Sequence, residues 1–368
     1  MNIAKIDKNF DTSFTSPEDL VWFSCLESPF KIYGVVYSEE DHNFHRMPKD
    51  IAYETNDWVG YLSLNTAGGR IRFTTDSPYI VLRVEEPFEE PMSHMTIEGK
   101  DGFSIFSDGS FKGSIMPSYR QILKADPSYG GNGTILFDGM KDIRNEGKEK
   151  QLIEIFMPLY SSVNTVYIGL KKDSFLTEPR EYKYRKPVLF YGSSITQGGC
   201  ASKPGDDYIS RLSRMLDFDF VNLGFSGSAK AERTIAEYIA SQDPSVFVLD
   251  YDYNAPDAEH LKKTHFALYE TVRRSHAETP IIFMTMPNYE GYEKHVWNKA
   301  RRDEIIKSYE KAKEAGDNNV YFIDCYGCLG KEVTGECGTV DGVHPDSLGF
   351  LRMAEYVYPT LSKLLEKK

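Results

Sequence analysis

The rhythm of this sequence changes once, near residue 180, and that change constrains the fold more than any other feature. Before it, apolar residues alternate in short runs: Arg70-Ile71-Arg72-Phe73-Thr74, Tyr79-Ile80-Val81-Leu82-Arg83-Val84 and Asn164-Thr165-Val166-Tyr167-Ile168-Gly169-Leu170. Turn signals break these runs, among them Ala67-Gly68-Gly69, Asp76-Ser77-Pro78, Ser107-Asp108-Gly109-Ser110 and Gly130-Gly131-Asn132-Gly133. Period-two patterning buries one face of a strand, so residues 20–172 predict an antiparallel β-sandwich. After the change, continuous apolar runs fall at 188–191, 218–223, 246–249, 281–284 and 320–323. Amphipathic helical stretches lie between and after them, at 208–216, 229–241, 258–275, 292–315 and 347–365. Strands apolar on both faces that alternate with helices predict an α/β fold, a parallel sheet covered on both sides in three α/β/α layers. Ligands of such sheets bind beyond the carboxyl ends of the strands. The charged stretch Thr177-Glu178-Pro179-Arg180-Glu181-Tyr182-Lys183-Tyr184-Arg185-Lys186 reads as a linker. The expected division is a sandwich domain over 1–180 and a parallel-sheet domain over 186–368, each large enough for its own core.

Charge narrows the partners. The chain carries 43 basic and 55 acidic residues, a net charge of −12, with no basic stripe. That excludes the electrostatic footprint of a nucleic-acid binder and disfavours an anionic membrane surface. No run approaches the length of a membrane span, and Met1-Asn2-Ile3-Ala4-Lys5-Ile6-Asp7-Lys8 has no apolar leader segment, so the expected location is cytoplasmic. Five cysteines, Cys25, Cys200, Cys325, Cys328 and Cys337, are too few and odd in number for a disulfide framework. Cys325 and Cys328 have metal-ligand spacing, and Cys337 with a histidine would complete a zinc site. Without a second pair, ordinary thiols are the better reading, and neither a metal nor a cofactor is expected. Homo-oligomerisation is left open.

Two short segments carry the chemistry. Gly192-Ser193-Ser194-Ile195-Thr196-Gln197-Gly198 follows the first continuous apolar run and sets a serine on a small-residue turn. Asp341-Gly342-Val343-His344-Pro345 supplies a carboxylate and an imidazole three positions apart. A serine hydroxyl needs a base to take its proton, and the base needs an orienting carboxylate. Ser194, His344 and Asp341 meet those needs in the chain order Ser, Asp, His. The α/β-hydrolases share that order, but their G-x-S-x-G elbow is absent. An acyl-transfer site also needs oxyanion donors. Candidates are the Ser194 N–H, the Gly227 N–H in Asn222-Leu223-Gly224-Phe225-Ser226-Gly227, and the Asn254 amide in Asp250-Tyr251-Asp252-Tyr253-Asn254.

These four blocks together resemble the SGNH hydrolase superfamily, the GDSL-type esterases. The serine block matches as Gly192-Ser193-Ser194-Ile195, with Ser193 where that family often has aspartate. The glycine block matches through Asn222, Gly224 and Gly227, and the histidine block as Asp341-Gly342-Val343-His344-Pro345. The asparagine block is looser, because Asn254 is followed by Ala255. The resemblance covers residues 186–366 and implies a flavodoxin-like hydrolase domain. It implies Ser194 as nucleophile, His344 as base, Asp341 as its orienter, and Gly227 and Asn254 as oxyanion donors. The segment Leu62-Ser63-Leu64-Asn65-Thr66-Ala67-Gly68-Gly69-Arg70-Ile71-Arg72-Phe73 resembles the jelly-roll-like sandwich that precedes the hydrolase domain in one subgroup. That subgroup is similar to carbohydrate esterases, so acetylated sugars are the leading expected substrate class, within a partner set of small-molecule or oligosaccharide esters.

Each residue has a plainer role to set beside this. Ser194 would equally cap the helix that follows, and Asp341 the last helix. Asp206, Asp207, Asp250 and Asp252 read as helix caps and solvated loop charges rather than metal ligands. Trp22, Trp58 and Trp297 read as packing residues before sugar platforms. An acyltransferase with the same triad, and an inactive carbohydrate-binding homologue, are the competing functions.

Overall fold

The computed structural model describes residues 6, 14–287, 296–330 and 338–367, with the side chains of 296 and 297 outside the description. Its N-terminal half holds two large antiparallel sheets, besides a two-stranded pair of Val36–Ser38 with Asn43–His45. One orders the strands Leu20–Ser24, Thr165–Lys171, Tyr79–Pro87 and Thr134–Asp142. The other orders Leu176–Thr177, Arg70–Thr75, Gln151–Phe156, Phe103–Ser107 and Ser110–Ile115, with Lys31–Tyr33 also paired to Arg70–Thr75. Alternate residues of these strands face inward, and Ile71, Phe73, Ile80, Leu82, Ile105, Ile153, Val166 and Ile168 build one buried core. Helices of five to seven residues, such as Lys49–Thr55 and Asp57–Leu62, lie between strands. They are too short to show a helical period in the sequence.

The C-terminal half is a five-stranded parallel sheet. Its strands are Tyr184–Gly192, Phe218–Gly224, Val246–Asp250, Ile281–Met284 and Val320–Ile323. In space the second strand lies outside the first, and the third, fourth and fifth follow on the other side. The order reverses beside the first strand, so the crevice between the ends of the first and third is the expected ligand site. Helices Tyr208–Leu216 and Ser347–Leu365 cover one face, where Leu212, Phe350, Met353 and Val357 pack on Val188 and Phe190. Helices Arg233–Ser241, Ala258–Ser275 and Val296–Glu314 cover the other, where Ile235, Leu261 and Ile305 pack with Leu189 and Leu249. Among the described residues no helix is long and apolar enough to cross a membrane.

Three details depart from the sequence-based expectation. The helix predicted from 229 starts at Arg233, because Ala231 has φ +58°, outside the helical region, and its N–H bonds the Tyr191 hydroxyl at 2.8 Å. The stretch read as a linker holds an anchor: Tyr182 is buried, donates to Glu154 Oε1 at 2.6 Å, and accepts from Arg70 Nε at 3.1 Å. Met47, Ala52, Val59 and Leu62, from the N-terminal half, belong to the core on one face of the parallel sheet.

Candidate active site

Strand register assembles the site. Gly192, the last residue of the first strand, stands beside Gly224 of the second and Asp250 of the third. Ser194, Gly227 and Asn254 lie two, three and four residues beyond these strand ends, so three distant segments converge at one edge of the sheet. The turn after Gly192 is tight: a Cβ there would stand 2.0 Å from Thr196 Oγ1 and 2.2 Å from Asp250 O. Only glycine fits at that approach.

Ser193, not Ser194, caps the short helix Ser194–Gln197, its hydroxyl accepting the Ile195 N–H at 3.2 Å. That leaves the Ser194 hydroxyl available, and it donates to His344 Nε2 at 2.9 Å. The other ring nitrogen, Nδ1, donates to Asp341 Oδ2 at 2.7 Å. This assignment follows from a carboxylate accepting, which fixes the tautomer. Asp341 also holds its own turn, because Oδ1 accepts the N–H groups of Val343 at 2.9 Å and His344 at 2.7 Å. Burial pushes the Asp341 carboxyl up, but the hydrogen bonds from His344 and Val343 outweigh it and hold the group below its ordinary value. The last helix is capped by Asp346, which accepts from Leu348 and Gly349, not by Asp341. The structure thus brings Ser194, His344 and Asp341 together in one hydrogen-bonded line.

Gly227 adopts φ +65°, a conformation that favours glycine, and a Cβ there would meet nothing within 4 Å. It borders an open cleft. The Asn254 amide donates to Phe225 O at 2.7 Å, two residues before Gly227. An amide has two hydrogens, so one is left for a ligand. The cleft beyond Gly227 has a volume of about 790 Å³ and is walled by Trp58, Tyr61, Glu89, Glu90 and Lys100 of the N-terminal half. Trp58 is 68% exposed, which corrects its reading as a packing residue. Trp22 lies under the Arg83 guanidinium, 4.4 Å from its ring centroid, and the side chain of Trp297 is outside the described residues.

Asp250 and Asp252 are not solvated loop charges, as the sequence reads, but fully buried. Oδ2 of Asp250 accepts the hydroxyls of Thr196 at 3.0 Å and Tyr208 at 2.9 Å, which ties the serine turn to the third strand. Oδ2 of Asp252 accepts the Met286 N–H at 2.9 Å. Burial, with the neighbouring Asp252 adding, pushes Asp250 up to about 8, and burial pushes Asp252 up to about 7. Asp207 does cap a helix, accepting the Ser210 N–H at 2.9 Å, and Asp206 pairs with Lys203 and Arg211. The folded protein therefore keeps protons on Asp250 and Asp252 that the unfolded chain releases near pH 3.8. The folded state binds more protons over that window, so stability falls as pH rises and levels off above the folded values. The melting temperature is expected to drop between about pH 5 and about pH 8, and Asp250→Asn to flatten the drop. Calorimetry at several pH values reads this, and identical slopes for the two proteins would contradict it.

Several site residues carry no sequence signal. The Tyr160 hydroxyl donates to Ser194 O at 3.4 Å. Gln197 is buried and bonds Asn65 and Leu159 O through Nε2, while Oε1 accepts the Ser226 N–H at 3.0 Å. The exposed His94 ring lies 6.0 Å from that of His344. Cys200 has φ +71°, and burial, with the Asp341 charge adding, pushes its thiol up to about 12, away from the thiolate form. Cys25, Cys200, Cys325 and Cys328 are free thiols, and Cys337 lies outside the described residues. Among the described residues no group of three or more His, Cys, Asp or Glu is placed to hold a metal.

The fold and this side-chain set are those of an acyl hydrolase built on a flavodoxin-like sheet. Residues 185–362 match the GDSL-like Lipase/Acylhydrolase family, and residues 20–176 match the N-terminus of SGNH-hydrolase-type esterases. The chain belongs to this family and is a carboxylic ester hydrolase of the SGNH/GDSL type. Among solved structures it is similar to a Bacteroides ovatus protein described as a GDSL-like lipase, with 29% identity, TM-score 0.81, and coverage of 94% of this chain and 98% of that one. It also shares its fold with a salicylyl-acyltransferase of a tetracycline biosynthetic pathway, at 18% identity, TM-score 0.73, and 95% and 98% coverage. A family two carbohydrate esterase from Cellvibrio japonicus shares the fold at 12% identity, TM-score 0.60, and 94% and 98% coverage. No curated protein sequence matches the chain.

Proposed function

We propose that this protein is a serine esterase that removes short acyl groups, acetyl foremost, from oligosaccharides. One observation carries the mechanism: Ser194 Oγ, His344 Nε2, His344 Nδ1 and Asp341 Oδ2 form a continuous line with steps of 2.9 and 2.7 Å. Ser194 Oγ attacks the ester carbonyl while His344 Nε2 takes its proton, and Asp341 stabilises the imidazolium. The oxyanion is held by the N–H groups of Ser194 and Gly227 and by the second hydrogen of the Asn254 amide. Collapse breaks the ester bond, and His344 returns the proton to the leaving alcohol. Water then attacks the acyl-serine, gives its proton to His344, and releases the acid with Ser194 restored.

The substrate reading rests on the cleft. An exposed tryptophan beside Tyr61, with carboxylates and an ammonium around it, offers a sugar ring an apolar face and hydrogen-bonding partners together. Relatives in fold that are described as an acetyl xylan esterase and as family two carbohydrate esterases favour the same class.

The test is a series of p-nitrophenyl esters from acetate to octanoate, together with acetylated xylo-oligosaccharides. The expected result is kcat/KM highest on acetate, with acetate released from the oligosaccharide. Trp58→Ala is expected to raise KM for the oligosaccharide about tenfold and to leave p-nitrophenyl acetate unchanged. An added alcohol that captures the acyl group faster than water does would instead make the protein a transferase. Sugar binding with no ester turnover would make it a carbohydrate-binding homologue.

A further inference from the structure

The guanidinium of Arg46 is wholly buried, and among the described residues it has no carboxylate partner. Its donors go to backbone carbonyls. Nη1 donates to Gly224 O at 2.5 Å and to Asn222 O at 3.2 Å, and Nη2 donates to Leu62 O at 2.5 Å. Its guanidinium carbon sits over the Phe225 ring, 4.7 Å from the centroid. Among the described residues Nε has no hydrogen-bond partner. An isolated cation taken out of water is expensive, and neutral carbonyls offset only part of that cost. Burial pulls the group down to about 9, so it remains charged at neutral pH.

Besides Leu62, its contacts fall at one place, the root of the loop that carries Gly227. Asn222 and Gly224 end the second parallel strand, and Phe225 begins the loop. Phe225 O in turn holds the Asn254 amide at 2.7 Å and the Ser228 N–H at 3.0 Å. The two oxyanion donors that do not belong to the serine turn therefore depend on a short piece of backbone that Arg46 grips. Arg46 itself comes from the N-terminal half, where its N–H bonds Ser63 O at 2.8 Å.

We propose that Arg46 is a positioning residue for the oxyanion donors, fixing the Gly224-Phe225 backbone and contributing an unneutralised positive charge behind the place where negative charge develops. The inference rests on the reading of Gly227 and Asn254 as oxyanion donors. Fixed dipoles and charges aimed at a developing oxyanion lower the barrier without reorganising during the reaction. A planar fork reaches carbonyls on two chain segments at once, and a lysine ammonium does not reproduce that geometry.

The experiment compares the full-length wild type with Arg46→Lys and Arg46→Met. It reads kcat and KM on p-nitrophenyl acetate, the melting temperature, and inhibition by phenylboronic acid, which forms an anionic tetrahedral adduct with a reactive serine. The expected result for Arg46→Met is a kcat lower by about 10²-fold with KM within about threefold, and a boronate affinity that falls in parallel with kcat/KM. Arg46→Lys keeps the charge and loses the fork, so it is expected to retain about a tenth of the wild-type kcat, and it carries the test should Arg46→Met not fold. A folded variant with wild-type kcat overturns the proposal. So does a lower kcat with unchanged boronate affinity, or a raised KM at constant kcat. A wild type that turns over no ester and binds no boronate would instead mark failure of the functional reading beneath it.

Discussion

Ser194→Ala is expected to lower kcat on p-nitrophenyl acetate by at least about 10³-fold and to shift the melting temperature by no more than about 1 °C. The two halves of that expectation come from different atoms. The helix after the first strand is capped by Ser193, and the Ser194 hydroxyl makes its hydrogen bond to His344. Removing it therefore costs chemistry and little structure. His344→Ala should cost as much, and the double variant no more than either, because in the proposed mechanism nucleophile and base act as one unit.

Asp341→Asn probes the line further. Its amide oxygen can keep accepting the Val343 and His344 N–H groups, so the turn survives. Its NH₂ would face Nδ1 and favour the tautomer that places a proton on Nε2, where the serine hydroxyl needs an acceptor. A loss of about 10⁴-fold is expected at neutral pH. Retention of more than a tenth of wild-type turnover by Ser194→Ala would remove Ser194 from the mechanism.

The architecture of the C-terminal half is legible in the sequence for a physical reason. Strands covered on both faces must be apolar throughout, so runs such as Ile281–Met284 and Val320–Ile323 stand out between helices. That Ser194, Asp341 and His344 come together is legible too, because the carboxylate is local to the histidine and the serine follows directly on a strand. What stays hidden depends on distant partners. Arg46 is bound by carbonyls of Leu62, Asn222 and Gly224, and a carbonyl has no residue type to recognise. Asp250 and Asp252 look like loop charges because an acidic cluster after a strand is ordinarily solvated. Their burial comes from Tyr208, Thr196 and Met286, which other segments supply. Trp58 misleads in the opposite sense: a large apolar residue is read as packed, yet here it lines a cleft whose other wall lies more than a hundred residues away.

Arg70→Ala is expected to destabilise the protein by about 3–5 kcal/mol, the largest stability effect of any single substitution considered. Arg70 is fully buried where the sandwich meets the parallel sheet. Nη1 donates to Gly68 O at 2.5 Å, Nε to the Tyr182 hydroxyl at 3.1 Å, and both Nη atoms to Phe220 O at 3.3 and 3.2 Å. Nη2 also pairs with Asp219, and the guanidinium carbon stands 3.7 Å from the Phe220 ring centroid. Around it, Tyr182 donates to Glu154, and Arg72 stacks at 3.7 Å on the Tyr182 ring. One side chain thus joins a sandwich strand, the connecting segment and the second parallel strand. Burial pushes the Asp219 carboxyl up and Arg70 opposes it, so removing Arg70 leaves a carboxylate in a poorly solvated place with its partner gone. If that stranded charge dominates the loss, Arg70→Ala with Asp219→Ala should recover a large part of it, because removing both partners deletes the uncompensated group. Thermal unfolding of the two variants measures this. A fall of under about 2 °C for Arg70→Ala would show that the halves hold together without this contact, and an additive double variant would assign the loss to packing around Phe220 and Tyr182 instead.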